Sequence, residues 1–136
     1  KGIACLEKNG NTADEIIAAA NDLVGRVDAV FTPTDNVVMA SEAAISEVLN
    51  NAGIPHYTGA DSFVQSGAFA TCGVNYTELG TCTAAMAMDI LAGGAVPEFH
   101  VMDGGIITVN KASAARLGLD YSVFSDMAGT VVEVGE

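Results

Sequence analysis

The amino-acid sequence predicts an α/β fold with a mostly parallel sheet and helices on both of its faces. Three observations lead there. Short apolar runs alternate with segments whose apolar residues recur at helical spacing. The helical segments open on capping residues and close on glycine. Half of the 136 residues are apolar and only 16% are charged, enough to build one buried core in one domain. Strands that alternate with helices pair in parallel through right-handed crossovers.

The elements follow in order. Gly2-Ile3-Ala4-Cys5-Leu6 is a continuous apolar run, the pattern of a strand buried on both faces. Asn9-Gly10-Asn11 is turn chemistry. Thr12 and Glu15 have the spacing of a capping box. The helix they open carries Ile16, Ile17, Ala20, Leu23 and Val24 as one stripe, and Gly25 ends it. Ala29-Val30-Phe31 reads as a short buried strand that runs into the polar loop Thr32-Pro33-Thr34-Asp35-Asn36. A second helix sets Val38, Ile45, Val48, Leu49 and Ala52 on one face and stops at Gly53. Residues 54–57 form a third strand, and Thr58-Gly59-Ala60-Asp61-Ser62 is the loop after it.

Residues 68–74 form a fourth strand. Asn75 and Glu78 repeat the capping spacing. Their helix carries Leu79, Cys82, Thr83, Met86 and Ile90 on one face and ends at Gly93-Gly94. Residues 99–102 and 106–109 are extended and separated by Asp103-Gly104-Gly105. Asn110 caps a short helix that stops at Gly118. From Asp120 onward the chain reads as turns and short extended pieces.

Charge narrows the function. Five basic residues against seventeen acidic ones leave a net charge of −12. Such a chain repels phosphate backbones, which argues against nucleic acid, and it is repelled by anionic membrane surfaces. No apolar run reaches the ~20 residues of a membrane-spanning helix. The first residue is Lys1, so the sequence is expected to be either a processed chain or part of a longer protein. Cys5, Cys72 and Cys82 match no metal-ligand spacing, so no metal is expected, and they read as buried free thiols.

Enzyme chemistry finds no support in the motifs. There is no G-x-S-x-G nucleophile elbow, no G-x-G-x-x-G after a strand and no phosphate loop. No catalytic residue and no cofactor is therefore expected. His56 and His100 lie in strand-like runs and read as packed side chains. Ligands of parallel sheets bind beyond the carboxyl ends of the strands. Two polar loops occupy that place, one with Thr34, Asp35 and Asn36, the other with Gly59 and Asp61. A carboxylate beside free helix N–H groups suits a zwitterion. The same residues also fit plainer roles: Asp35 and Asn36 as caps of the second helix, Asp61 as a turn aspartate, Asn75 as a cap.

Val27-Asp28-Ala29-Val30-Phe31-Thr32-Pro33-Thr34-Asp35-Asn36 resembles the "VDA…PTDN" signature of a family of ABC-transporter substrate-binding proteins. Ile54-Pro55 to Gly59 resembles the strand that follows in that family. Gly67-Ala68 through Gly73-Val74-Asn75-Tyr76-Thr77-Glu78-Leu79-Gly80 is similar to its "GA…GxD/NYxELG" segment. Val109-Asn110-Lys111 with Ala115 and Leu117-Gly118 is similar to its "NKxxAxxLG" ending. The likeness spans about residues 1 to 121. Asn75 stands where many relatives have Asp, and the cysteines are unusual for the family.

The resemblance implies a type I periplasmic-binding-protein fold, in which two Rossmann-like lobes close over a small ligand. This chain would be the C-terminal portion, with residues 1–66 in the second lobe. Residues 70–93 would cross to a first lobe outside the sequence, and the remainder would form the hinge and C-terminal segment. The implied ligand is an amino acid, most often aromatic, held by Thr34, Asp35, Asn36, Gly59, Asp61 and Val74. The implied partner is an ABC permease, and the implied location is extracytoplasmic, periplasmic or lipid-anchored as a lipoprotein. Two other readings stand beside it: the effector-binding domain of a transcription regulator, and a flavodoxin-like enzyme.

Overall fold

In the computed structural model, residues 2–102 and 105–136 are described. Eleven elements follow one another: α1 (Ala13–Leu23), β1 (Val30–Thr32), α2 (Asn36–Asn51), β2 (His56–Thr58), α3 (Asp61–Gln65), β3 (Ala70–Gly73), α4 (Tyr76–Leu91), β4 (Ile106–Asn110), α5 (Lys111–Leu117), α6 (Phe124–Met127) and β5 (Val131–Val134). The strands form one sheet in the order β1-β2-β3-β4-β5. Three pairings are parallel and the β3–β4 pairing is antiparallel. The expected mostly parallel α/β sheet is therefore present, with one strand reversed. The reversal has a cause in α4. No residue of this helix is buried, so it is not a crossover packed along the sheet. The chain leaves at the carboxyl end of β3 and re-enters at that same end.

The four side-chain caps form as the sequence predicts. Thr12 accepts from the Glu15 amide, and the Glu15 carboxylate accepts from the Asn11 amide at 2.7 Å. Asp35 accepts from the amides of Val37 and Val38 at 2.8 and 3.0 Å. Asn75 caps α4 through the Glu78 amide, and Asn110 caps α5 through the Ser113 amide. Gly118 ends α5 at φ +67°, a left-handed position that only glycine adopts without strain.

Two cores hold the sheet. One gathers Ala20 and Leu23 of α1, Val38, Ile45 and Leu49 of α2, Phe63 and Val64 of α3, and Val30 of β1. The other gathers Ala70, Ile107 and Val109 with Ala114 of α5, and Tyr121, Phe124 and Ala128 pack against it. Strand alternation separates them: Val131 packs on the second core and Val134 on the first. Each fully buried Leu, Ile or Phe contributes about 1.5–3 kcal/mol. A polar staple joins the pieces. Asn110 Nδ2 donates to the Val64 carbonyl at 2.8 Å, and the Ser113 hydroxyl donates to the Gly67 carbonyl at 2.7 Å.

Several expectations are overturned. Residues 2–6 form no strand and lie exposed, with Ile3 at 83%. A strand buried on both faces needs neighbours on both edges, and among the described residues no strand pairs with this run. Cys5 and Cys72 are exposed and Cys82 is half-buried, so none of the three is a buried thiol. Of the β1 run, Val30 is buried but Phe31 is 67% exposed. Ala52 also lies exposed, beyond the end of α2. Asp61 and Ser62, read as the end of a loop, open a short helix, α3. Residues 99–102 are not a strand, and His100 is exposed rather than packed. Val131–Val134 form β5, because β4 offers its free edge to them. Asp103 and Gly104 of the expected break lie outside the described residues.

Candidate functional site

The site is built where three strands end. β1, β2 and β3 deliver the chain to one edge of the sheet, and antiparallel β4 starts there. A small cavity of about 40 Å³ opens at this edge, lined by Gly59, Ala60, Asp61, Gly73, Val74, Tyr76, Ile106 and Thr108. A water molecule takes roughly 30 Å³ of liquid, so the space admits a solvent molecule and not an amino acid. It is one wall of a site rather than a closed pocket.

Three of the six expected ligand residues, Gly59, Asp61 and Val74, line this wall. Thr34 stands against them. A Cβ on Gly59 would approach Thr34 Oγ1 to 2.5 Å, so glycine is what lets the β1–α2 and β2–α3 loops touch. Asp35 and Asn36 do not line the wall. Asp35 sits at the start of α2, and its Oδ1 already accepts from two amides, so its capping role is realised. Asn36 is the first residue of α2 and is exposed. Asp61 is the first residue of α3 and also exposed.

Sequence reasoning missed Tyr76, Ile106 and Thr108, which reach the wall because α4 starts there and β4 runs backward. It also missed a polar network beneath the loops. Glu42 and His56 are 1% and 0% exposed, with Oε1 3.1 Å from Nδ1. The approach is close, yet the Nδ1 geometry is not that of an aligned hydrogen bond. Ser46 donates to Glu42 Oε1 at 2.7 Å, and His56 Nε2 lies 2.9 Å from Thr32 Oγ1. A signal for Glu42 was present: it falls between Val38 and Ile45 on the buried stripe of α2.

A second, larger feature lies away from the wall. The Leu79, Cys82, Met86 and Ile90 face of α4 forms an open groove of about 340 Å³ with His100 at its rim. Elsewhere on α4 and the segment after it, Met88, Leu91, Val96 and Phe99 are 68–83% exposed. That is a large uncovered apolar surface for a chain of this size.

Residues 1–126 match the family described as ABC transporter substrate binding protein. The chain belongs to that family. This family member is 33% identical over 116 residues to a tyrosine-binding protein of Clostridioides difficile (strain R20291), an alignment that takes in 84% of the chain and 34% of that relative. Its fold is similar to the ligand-free, open structure of a substrate-binding protein with adhesive properties from Clostridium difficile. There the TM-score is 0.79 at 31% identity, covering 96% of this chain and 43% of the other. It is also similar to an ABC domain from Streptococcus pneumonia solved in complex with L-Trp, with a TM-score of 0.66 at 26% identity over 89% of this chain and 42% of the other. The family member thus spans well under half the length of these relatives.

Proposed function

We propose that this chain is the C-terminal portion of the extracytoplasmic solute-binding component of an ABC importer, whose ligand is an aromatic amino acid handed to a membrane permease. The protein is extracytoplasmic, either free in a periplasm or lipid-anchored at the cell surface. Residues 1–66 belong to the second lobe and residues 70–93 cross to a first lobe supplied by the rest of the protein. The ligand lies between the lobes, and closure about the hinge buries it.

One observation carries the reading: the half-built wall at the sheet edge, where Thr34 meets Gly59 and Asp61 faces open space. A 40 Å³ recess holds no amino acid until a second surface closes over it. The uncovered α4 face supports the same view, since an apolar helix face of this extent is stable when another surface covers it. The names of the relatives, tyrosine-binding in one case and bound to L-Trp in another, support an aromatic ligand. Of the two aspartates, Asp61 takes the ligand's ammonium, with Thr34, Gly59 and Val74 around it, while Asn36 lies off the wall at the start of α2. Asp35 serves the site by holding the start of α2.

Calorimetry on the full-length protein with L-tryptophan, L-tyrosine and L-phenylalanine tests this, with L-leucine as the control. Asp61→Ala is expected to weaken binding of the aromatic ligands about a hundredfold or more, because a buried ammonium is left unpaired at a cost of roughly 3–5 kcal/mol. Affinity within threefold of the parent for Asp61→Ala removes the aspartate from the site. No heat with any aromatic amino acid removes the ligand class.

A further inference from the structure

We infer that the buried Glu42–His56 pair is a positioning device for the ligand loop, acting through the hydroxyl of Thr32; this rests on the proposal above that the β1–α2 loop faces the ligand. Thr32 is the last residue of β1, immediately before Pro33 and Thr34. Its Oγ1 lies 2.9 Å from His56 Nε2 on the neighbouring strand. The other ring nitrogen, Nδ1, faces Glu42 Oε1 at 3.1 Å. Ser46, one turn along α2, donates to the same carboxylate oxygen at 2.7 Å. Four side chains in close contact, two of their three links hydrogen bonds, thus run from the middle of α2 through β2 to the point where the loop leaves the sheet.

Two features argue that the path is more than packing. Glu42 Oε2 and His56 Nδ1 are both buried with no hydrogen-bond partner among the described residues. A carboxylate and an imidazole in a core cost desolvation that an apolar pair of similar volume would not, so stability alone favours replacing them. What the pair supplies is a directed contact. Glu42 Oε1 confines the ring by its 3.1 Å approach to Nδ1, without an aligned hydrogen bond there, and the ring's own hydrogen bond runs from Nε2 to the Thr32 hydroxyl at 2.9 Å. Thr34, two residues on, then reaches its close approach to Gly59, and Asp35 its cap on α2. Glu42, Ser46 and His56 touch no ligand in this arrangement. They hold the strand end from which the ligand residues hang.

The test uses the full-length protein, L-tryptophan as the calorimetric probe, and amide hydrogen exchange without ligand. Thr32→Val removes the hydroxyl at nearly constant volume, and Thr32→Ser restores it. Thr32→Val is expected to weaken binding about five- to tenfold, the effect of one lost hydrogen bond. It should also speed exchange at the Val37 and Val38 amides by more than at core amides of α2 such as Leu49, the thermal midpoint falling only by what one orphaned His56 nitrogen costs. Thr32→Ser should return both readings to within twofold of the parent. His56→Phe combined with Thr32→Val should cost no more affinity than the larger single change. Should His56→Phe fail to fold, the Thr32 pair decides by itself. Unchanged exchange at Val37 and Val38 in Thr32→Val overturns the positioning device, whatever the affinity. Faster exchange with unchanged affinity overturns the placement of the loop against the ligand. If the parent binds no aromatic amino acid, exchange still decides whether the device exists.

Discussion

α2 and α4 are the same length, 16 residues, and each is capped by an acidic or amide side chain. Both carry an apolar stripe. α2 buries seven of its residues, among them Ile45 at 1% and Leu49 at 0% exposure, whereas α4 buries none. The two helices differ in what lies opposite. α2 meets α1, β2 and α5 within the chain; the Leu79–Met86–Ile90 face of α4 meets an open groove. An amphipathic pattern states which face will be buried. It does not state against what, and in this chain the second helix is left waiting for a surface.

The largest expected effect breaks or upholds that contrast directly. In this chain Leu49→Ala should destabilise by about 3–5 kcal/mol, since it leaves a cavity in a closed core. Met86→Ala on the open face of α4 should change stability by less than about 0.5 kcal/mol. Urea unfolding measures both. Equal losses would mean that α4 is packed in solution.

The caps sharpen the comparison. Asp35→Ala removes two amide bonds from α2 and should cost about 1 kcal/mol of global stability, because α2 unfolds with the core. Asn75→Ala breaks the equivalent bond on α4. There the expected result is faster amide exchange along α4 with no shift of the cooperative transition, since an unpacked helix opens by itself. A matching shift of the global midpoint by both variants would show the two helices to be one cooperative unit.

The smallest effect concerns the N-terminal segment, a lesser case of an uncovered region. Lys8 forms an ion pair with Asp22 of α1. The hydrogen bond from Lys8 holds the Asp22 carboxyl below its usual range, with the charge of Arg26 adding to it. A carboxylate depressed in the folded state contributes stability at pH above its ordinary value, and that contribution fades as pH falls through the depressed one. Lys8→Ala should raise the Asp22 pKa toward the ordinary carboxylate value, read by NMR titration. An unmoved titration would show that the segment does not rest on α1. The pair is exposed, so the accompanying change in stability should be small.

Much of this was legible from residue order. Capping boxes and terminal glycines are local chemistry: Thr12 with Glu15, Asn75 with Glu78 and Asn110 with Gly118 act within one or two turns of their own helix. The α2 stripe and the meeting of two polar loops at one sheet edge followed from periodicity and from strand–helix alternation. The failures share a different cause. Gly2-Ile3-Ala4-Cys5-Leu6 has the composition of a central strand but pairs with none, because pairing depends on a neighbour and not on the run itself. The converse case is β5: in a tail read only as turns and short extended pieces, Val131–Val134 becomes a paired strand because β4 presents a free edge.

By itself, then, the sequence determined the longer helices, their caps, the inward face of α2 and the loops that carry Thr34, Gly59 and Asp61, all of them set by interactions short along the chain. Only the tertiary structure decided the reversed β4 that brings Thr108 to the wall and the path Ser46–Glu42–His56–Thr32. These depend on contacts between residues distant in sequence. A buried glutamate and a strand histidine carry no mark of each other until α2 is laid across β2.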